Sequence, residues 1–365
     1  PAGPGAFNVA AFAGNGSYGN GGNGASATAA MFKQPSGIAV GANGVVYVAD
    51  SEARVIRKIS QGTITVIAGT GAKGATGDGL AATSAKFNNP TGLALDAARN
   101  VLYVADTGNH RIRRIDLTTT TITTVAGTGI AALGGDGPAN TAWINAPMAV
   151  AVDAAGNVYF ADTDNNRVCK VSNGQLTTIA GSGQVGNIGD GGAATAARFN
   201  HPTGIAVSSD GATIYVADQG NNRVRKISGG NITAFAGASN GTSGFGGDGN
   251  AANLSQLSTP TSVTLDATGN VLISDTDNER IRRVTLSDGK INTIAGNGEA
   301  GNTGDGGAAL SAALDTPAAL AVDTSSGAIV FCDTGNLRVR RLTTSAVTPT
   351  NNPPVPATVA NQSLN

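Results

Sequence analysis

Short apolar runs separated by turn residues recur along the whole chain. In one stretch, residues 202–207 and 213–217 are apolar, and the turn residues 208–211 between them predict a hairpin. Residues 223–227 then alternate charged and β-branched side chains, as a half-exposed strand does, and a fourth apolar run, 232–236, follows two glycines. The pattern predicts four short strands in succession, with the most apolar strand first and more polar strands after it.

The same four-strand pattern repeats six times at a period of about 56 residues. An Asp ends the second strand of each copy, with spacings of 56, 56, 56, 57 and 58, at Asp50, Asp106, Asp162, Asp218, Asp275 and Asp333. A proline opens each copy, at Pro35, Pro90, Pro147, Pro202, Pro260 and Pro317. Six four-stranded units predict an all-β fold, a six-bladed β-propeller.

The copies also predict how the ring closes. Fourth strands end in an Ala-Gly pair, and the sixth such pair, Ala13-Gly14, precedes the first copy while the last copy lacks one. We therefore expect residues 7–13 to complete the sixth blade, which removes an exposed sheet edge. The propeller is assigned to residues 1–345, followed by a Pro-rich linker at 346–356. Residues 357–365 resemble the start of an immunoglobulin-like or cadherin-like module, and we expect further domains after them.

Composition excludes several classes of protein. The chain has 40% hydrophobic residues, 13% charged residues and a net charge of −1, which argues against disorder and against a general polyanion binder. No uninterrupted apolar run reaches the length of a membrane span. Of 23 basic residues, 17 lie in the third strands and are spread around the ring, so no nucleic-acid surface is expected.

Two segments carry a family resemblance. Residues 157–168, NVYFADTDNNRV, and 102–112, LYVADTGNHRI, resemble the NHL repeat, and the resemblance covers roughly residues 7–342. It implies the propeller fold, while the family includes protein-binding modules, RNA-binding modules and an amidating lyase that uses a metal. The first copy departs from the pattern at Ala53 and Val55, and the third has Cys169 where most copies have Arg.

The repeated Asp and the Arg five residues later are interpreted as structural. An Asp at a strand end can accept backbone N–H groups of the following turn, and the Arg can form a fork onto it. These pairs are Asp106 with Arg111, Asp162 with Arg167, Asp218 with Arg223, Asp275 with Arg280 and Asp333 with Arg338. A feature of nearly every blade cannot mark one active site.

Gly-Asp-Gly loops precede most copies. Each loop offers a single carboxylate, whereas a calcium loop needs several oxygens close in sequence. We interpret these residues as turn formers that cap the short segment after them: Asp78, Asp136, Asp190, Asp248 and Asp305.

The residues just before each proline should surround the mouth of the central channel. The only constellation there that invites a test consists of Asn89, Asn145, Asn200, His201 and Asp315. A calcium ion held by these oxygens is the metal hypothesis that remains. With only His110 and His201 in the chain, a His-rich zinc site cannot be assembled, and His110 is expected to be a solvated turn residue.

The two cysteines lie in opposite blades, so no internal disulfide is expected. Cys332 replaces a small buried residue, whereas Cys169 takes a position that is otherwise basic and is expected to be exposed. In a secreted protein Cys169 is a candidate for a disulfide to another chain, and the alternative is a free thiol. The chain has five acceptor sequences that permit N-glycosylation in a eukaryotic secretory pathway, at Asn15, Asn231, Asn240, Asn253 and Asn361.

The sequence therefore favours a non-enzymatic interaction or structural domain of a larger secreted or cell-surface protein. Its loop-rich faces would bind a protein or a glycan, in a filament or an adhesive assembly. The alternative is an extracellular metal-dependent lyase or hydrolase with its site at the channel mouth. The scarcity of histidines and acids on the inner strands counts against that alternative.

Overall fold

The computed structural model describes residues 6–344, which form six antiparallel sheets arranged as a ring. A single strand, β1 (Phe7–Ala13), precedes the first blade. Blade 1 contains β2 (Pro35–Val40), β3 (Val46–Asp50), β4 (Val55–Ser60) and β5 (Thr63–Ala68). Blade 2 contains β6 (Pro90–Asp96), β7 (Val101–Asp106), β8 (Arg111–Asp116) and β9 (Ile122–Ala126).

The remaining blades repeat this order. Blade 3 contains β10 (Gly137–Pro138), β11 (Pro147–Val152), β12 (Val158–Asp162), β13 (Arg167–Ser172) and β14 (Gln175–Ala180). Blade 4 contains β15 (Pro202–Val207), β16 (Thr213–Asp218), β17 (Arg223–Ser228) and β18 (Asn231–Ala236). Blade 5 contains β19 (Pro260–Leu265), β20 (Val271–Asp275), β21 (Arg280–Thr285) and β22 (Lys290–Ala295). Blade 6 contains β23 (Pro317–Val322), β24 (Ile329–Asp333) and β25 (Arg338–Thr344).

Short 3₁₀ helices occupy the turns. Six lie in the segments between blades: Ala27–Ala29, Ala82–Ser84, Ala139–Thr141, Ala194–Ala196, Ala252–Leu254 and Ala309–Ser311. Four follow second strands, and one lies between β2 and β3: Thr107–Asn109, Thr163–Asn165, Gln219–Asn221, Thr276–Asn278 and Ala42–Gly44. None of the helices in residues 6–344 is long and apolar enough to cross a membrane.

The first strands of neighbouring blades contact one another around the central channel. The core lies one strand further out, because the second strands are buried along almost their whole length, as in β3 and β7. Most of the first strands are less completely buried, since one face of each lines the channel, as in β11. The expectation that the first strand is the most apolar is therefore incomplete: the second strand is the one packed on both faces.

The predicted closure of the ring is confirmed. Strand β1 pairs antiparallel with β25, with Phe7 opposite Thr344 and Val9 opposite Leu342, so the sixth blade also has four strands. Phe7, Val9 and Ala13 are buried, and Asn8 and Ala10 between them are exposed. The predicted linker at 346–356, the predicted module at 357–365 and Asn361 lie outside the described residues.

The segments between blades cover the outer sheet edges. We call these the connecting segments: residues 14–34, 69–89, 127–146, 181–201, 237–259 and 296–316. Each forms a short bridge to the fourth strand of the blade it enters, through Ser26–Thr63, Ala81–Thr121, Pro138–Gln175, Ala193–Asn231, Ala251–Lys290 and Ala308–Asn8. The fourth strand of every blade therefore has part of its outer edge paired.

Candidate functional site

The Asp residues that end the second strands are fully buried. Each accepts a backbone N–H from the residue two positions before the first strand of its own blade, for example from Asn88 to Asp106 at 2.9 Å and from Asn200 to Asp218 at 2.8 Å. We expected N–H donors from the following turn, but that turn contributes a side-chain amide instead, as Asn109 does to Asp106 at 2.7 Å. Burial raises the pKa of Asp106 and of Asp218 to about 6.

The arginine that pairs with this Asp differs from the predicted one in most blades. The buried guanidinium belongs to the residue seven positions after the Asp, and the distances are 3.3 Å for Arg113 to Asp106, 2.9 Å for Arg282 to Asp275 and 3.1 Å for Arg340 to Asp333. The predicted partners Arg111, Arg280 and Arg338 bond to loop carbonyls instead, on Thr128, Asn297 and Asn15.

The predicted spacing of five residues is correct in only two blades. Arg167 Nε lies 2.7 Å from Asp162, and Arg223 Nε lies 3.7 Å from Asp218. The choice between the two arginines depends on where each lies along the third strand. Both point to the same face of that strand, but the second one lies inside the blade. A guanidinium removed from water there needs a full set of ion-pair and hydrogen-bond partners.

The Gly-Asp-Gly carboxylates are ion-pair partners of these buried arginines rather than helix caps. The N–O distances are 2.7 Å for Asp78 to Arg113, 2.8 Å for Asp190 to Arg225, 2.7 Å for Asp248 to Arg282 and 3.0 Å for Asp305 to Arg340. The 3₁₀ helices after them have no side-chain cap. The connecting segments that enter blades 2, 4, 5 and 6 are thus tied by charge to the third strand of the blade they enter.

Blade 3 departs from this arrangement, and the expected exposure of Cys169 is wrong. Cys169 stands where other blades have the buried arginine, and it is fully buried itself. Arg167 fills the vacated volume and donates to the carbonyls of Gly134 at 2.6 Å and Trp143 at 3.3 Å. Burial raises the pKa of the Cys169 thiol and of Cys332, which is also buried, and neither forms a disulfide.

The residues before the inner-strand prolines link neighbouring blades. His201, with a positive φ of 55°, donates its N–H to Asn166 at 2.9 Å, and Thr316 donates to the Glu279 carboxylate at 2.7 Å. His110 occupies the same position in blade 2 as the acceptors Asn166 and Glu279 in their blades, and its Nδ1 accepts the N–H of Ala146 at 3.0 Å. His110 is therefore a half-buried interblade acceptor, not the solvated turn residue expected from the sequence.

Glu279 is the titratable group of these blade junctions with the largest shift. Burial, together with the nearby carboxylates of Asp315, Asp333 and Asp277, raises its pKa to about 7. The Thr316 N–H opposes this rise, because it favours the charged form. The sequence did not single out Glu279, since an acid in an exposed turn pattern is usually solvated.

The five candidate residues of the channel mouth occupy four separate blade junctions, because Asn200 and His201 are adjacent. His201 contacts Gln219 at 3.1 Å and Asp164 at 3.5 Å, while Asn200 donates to the Gly220 carbonyl at 3.1 Å. Asp315 accepts the Thr316 hydroxyl at 2.9 Å. Neither these three residues nor Asn89 and Asn145 line the central cavity. Within residues 6–344 no group of three or more His, Cys, Asp or Glu is arranged to hold a metal ion.

The central channel is a cavity of about 540 Å³. Its wall consists of aliphatic side chains such as Val152 and Leu265, together with hydroxyl groups of the first strands. Thr91 is typical: its hydroxyl donates to the Met148 carbonyl at 2.7 Å and so joins blades 2 and 3. The channel can therefore admit a small neutral molecule, while its hydroxyls are largely committed to joining blades.

Six four-stranded blades, with one network of buried Asp and Arg repeated around the ring, define a six-bladed β-propeller. The family description "NHL repeat" matches residues 32–53 and 87–115, and "SMP-30/Gluconolactonase/LRE-like region" matches residues 136–295. The chain belongs to the NHL-repeat and SMP-30/gluconolactonase-like family of six-bladed propellers. The family predicted from the sequence motifs is thereby confirmed.

Curated relatives are longer proteins. The chain is 29% identical over 267 residues to "Protein SUPPRESSOR OF QUENCHING 1, chloroplastic" of Arabidopsis thaliana, which covers 70% of this chain and 25% of that protein. It is 28% identical over 295 residues to NHL repeat-containing protein 2 of Bos taurus, and the match covers 73% of this chain and 40% of that protein. It is 30% identical over 303 residues to Teneurin-3 of Danio rerio, covering 70% and 11%. The chain thus spans less than half the length of each of these relatives.

Several solved structures share the fold. A structural genomics protein of unknown function from Bacteroides thetaiotaomicron has a TM-score of 0.69 at 20% identity, covering 93% of this chain and 76% of that one. An auxiliary nutrient binding protein from Bacteroides ovatus has a TM-score of 0.65 at 13% identity, covering 94% and 78%. A gluconolactonase from Xanthomonas campestris has a TM-score of 0.56 at 16% identity, covering 86% and 87%. At these identities the likeness concerns the fold alone.

Proposed function

We propose that this propeller is a non-enzymatic interaction domain of a larger protein and that its connecting segments form the binding surface. The observation that carries the proposal is the position of the exposed apolar side chains. Of the twelve large hydrophobic residues exposed within residues 6–344, eleven lie in connecting segments, and the twelfth is Leu286. The eleven are Tyr18, Met31, Leu80, Ile130, Leu133, Trp143, Val185, Ile188, Phe245, Leu254 and Leu310.

Such a distribution suits the recognition of another protein. Aromatic side chains supply much of the binding energy at the centres of protein interfaces, and three of the eleven are aromatic: Tyr18, Trp143 and Phe245. Four of the six connecting segments are held to the blades by ion pairs such as Asp248 with Arg282, so they lose little conformational entropy on binding. The blades act as a rigid scaffold on which the partner-binding loops are mounted.

A secreted or cell-surface setting is part of the proposal. The low share of charged residues and the Pro-rich segment at 346–356 support an extracellular structural or adhesive role, including a filament. Four of the five acceptor asparagines lie within the described residues and are exposed, so glycosylation there would not disturb the core: Asn15, Asn231, Asn240 and Asn253. The longer curated relatives are consistent with a propeller that forms one part of a larger protein.

The test compares two variants of the full chain for partner binding. The first changes Leu80, Val185, Leu254 and Leu310 to Ser; each is more than half exposed, so the fold should be unaffected. The matched control is Leu286→Ser. Against an array of extracellular proteins and glycans, the wild-type chain and the control should bind the same partner, and the fourfold variant should lose it.

Two results would contradict the proposal. One is a partner that the fourfold variant binds as tightly as the wild type. The other is a thermal melt in which calcium or zinc, added after chelation, raises the midpoint in the wild type but not in a His201→Ala, Asp315→Asn variant. That outcome would support the metal-dependent lyase or hydrolase with its site at the channel mouth.

A further inference from the structure

A surface cavity of about 270 Å³ opens in the connecting segment between blades 2 and 3. Leu133, Asp136 and Trp143 line it, with glycine backbone between them. Asp136 is exposed, and Trp143, the only tryptophan of the chain, is 47% exposed. A side chain at Gly135 would meet no atom within 4 Å, so the backbone here is open to a ligand.

The Asp136 carboxylate differs from its counterparts in other blades. Asp78, Asp190, Asp248 and Asp305 each bind a buried guanidinium from the third strand of the blade they enter. In blade 3 the corresponding arginine is replaced by Cys169. Asp136 Oδ1 accepts the Thr178 N–H at 2.8 Å, and within residues 6–344 the carboxylate has no ion pair closer than 4 Å. The buried Arg167 guanidinium donates to the Gly134 and Trp143 carbonyls beside this cavity and pairs with Asp162, but it does not bond the Asp136 carboxylate, so one carboxylate oxygen remains open to a ligand.

The other blades indicate which ligand chemistry suits these groups. In blade 4, the Arg225 guanidinium binds Asp190 at 2.8 Å and lies over the ring of Phe199, with 5.0 Å to the ring centre. In blade 2, Arg113 binds Asp78 and lies 5.7 Å from the ring centre of Phe87. In these two blades a carboxylate and a Phe ring hold one guanidinium through charge-assisted hydrogen bonds and cation–π attraction. Ile144 is the counterpart of these Phe residues in blade 3, and Trp143, the residue before it, is the aromatic side chain of the cavity.

We propose that the cavity formed by Asp136, Trp143 and Leu133 binds the guanidinium of an arginine side chain presented by a protein partner. The Asp136 carboxylate accepts the N–H donors of the guanidinium, the indole of Trp143 lies against its plane, and Leu133 contacts the aliphatic stem. Lysine fits less well, because it lacks the planar fork. This proposal rests on the proposed protein-binding function in one respect: the arginine comes from a protein partner.

The probe for the test is the short peptide acetyl-Gly-Arg-Gly-amide, titrated against the full chain. Because Trp143 is the only tryptophan, intrinsic fluorescence reports on this cavity alone. We expect a saturable change with the arginine peptide. Affinity should fall at least tenfold with the uncharged citrulline peptide and, separately, in Asp136→Asn, which retains an acceptor for the Thr178 N–H. Glu299→Gln, an exposed acid in another connecting segment, should bind as the wild type does.

Several outcomes would overturn the proposal. Equal binding of the citrulline peptide or an unchanged affinity in Asp136→Asn would remove the role of the carboxylate. A saturable response to a methyl glycoside but not to arginine would assign the cavity to sugars. Calorimetry on Trp143→Phe measures the share of the indole, and a thermal midpoint of Asp136→Asn within about 2 °C of the wild type shows that the fold is intact. The fourfold connecting-segment variant keeps all three cavity residues, so its failure to bind a partner is distinguishable from failure of the arginine site.

Discussion

Arg225 and Asp190 form an ion pair of 2.8 Å although they are 35 residues apart, one in the third strand of blade 4 and the other in the segment that enters that blade. The Arg225 side chain is fully buried, while Asp190 is 27% exposed. A charge in the blade interior is thus compensated by a loop, and the loop becomes part of the core. The connecting segments of this propeller are structural members as well as surface.

The first prediction concerns this pair. Asp190→Asn should lower the free energy of unfolding by about 2 kcal/mol, because it removes charge-assisted bonds to Arg223 and Arg225 and leaves a buried guanidinium less compensated. Urea denaturation measures the change. Glu299→Gln removes an exposed carboxylate and should stay within about 0.5 kcal/mol. Equal effects of the two substitutions would count against the ion pair as a stabilising contact.

The second prediction tests the closure of the ring. Val9 in β1 is fully buried, whereas its neighbour Ala10 is exposed. Val9→Asp should cost about 3 kcal/mol or more of unfolding free energy, because it buries an unpaired charge. Ala10→Asp should leave stability within about 0.5 kcal/mol. If both variants unfold at the same urea concentration as the wild type, β1 does not hold the sixth blade.

The third prediction is a pH dependence that originates at Glu279. Its pKa in the folded chain, about 7, lies above the ordinary value of 4.5, so the folded state binds more protons between these two values. The contribution of Glu279 to stability is therefore full below about pH 4.5 and is lost as the pH rises through 7. In Glu279→Gln this fall in stability should be smaller than in the wild type but not absent, because Asp106 and Asp218, whose pKa values are raised to about 6, lose stability over an overlapping range. Urea midpoints at pH 4.5, 6 and 7.5 measure the difference. A fall in Glu279→Gln as large as in the wild type would place the titrating group elsewhere.

The fourth prediction concerns the thiols. Cys169 and Cys332 are both fully buried, and burial raises the pKa of each thiol, so neither is a reactive thiolate in the folded protein. A colourimetric thiol reagent should find no accessible thiol in the native chain and two after denaturation. One rapidly reacting thiol in the native state would restore Cys169 as a site for a disulfide to another chain.

The fold was predictable because its signals are local and repeated. Each strand has its own apolar run and turn, and a pattern that recurs six times does not arise by chance. The closing strand, residues 7–13, also followed from counting the Ala-Gly pairs. The network inside the blades was harder to predict. Asp106 lies directly opposite Arg111 in the strand register, so sequence spacing favours that pair. The long side chain of Arg113 nevertheless extends past Arg111 to Asp106. Which of the two arginines pairs with Asp106 is decided by packing inside the blade, which the sequence does not show.

The channel-mouth residues show a second limit. His201 and Asn89 precede prolines and have positive φ values of 55° and 54°, so their side chains are directed by backbone geometry that the sequence does not reveal. Cys169 shows a third limit. Its position is basic in other copies, and basic residues are normally exposed, yet here the position is a buried arginine site. Burial of a charged residue depends on partners that lie far away in sequence.

The pairing of β1 with β25 also sets an order of events during synthesis. Thr344, the partner of Phe7, follows it about 340 residues later, so at roughly 5–20 residues per second β1 waits about 17–70 s for its partner to be synthesised. During that interval blades 1 to 5 can assemble one after another from local contacts, while the sixth cannot. The first strand of the propeller is the last to be paired, and the ring stays open until translation has passed residue 344.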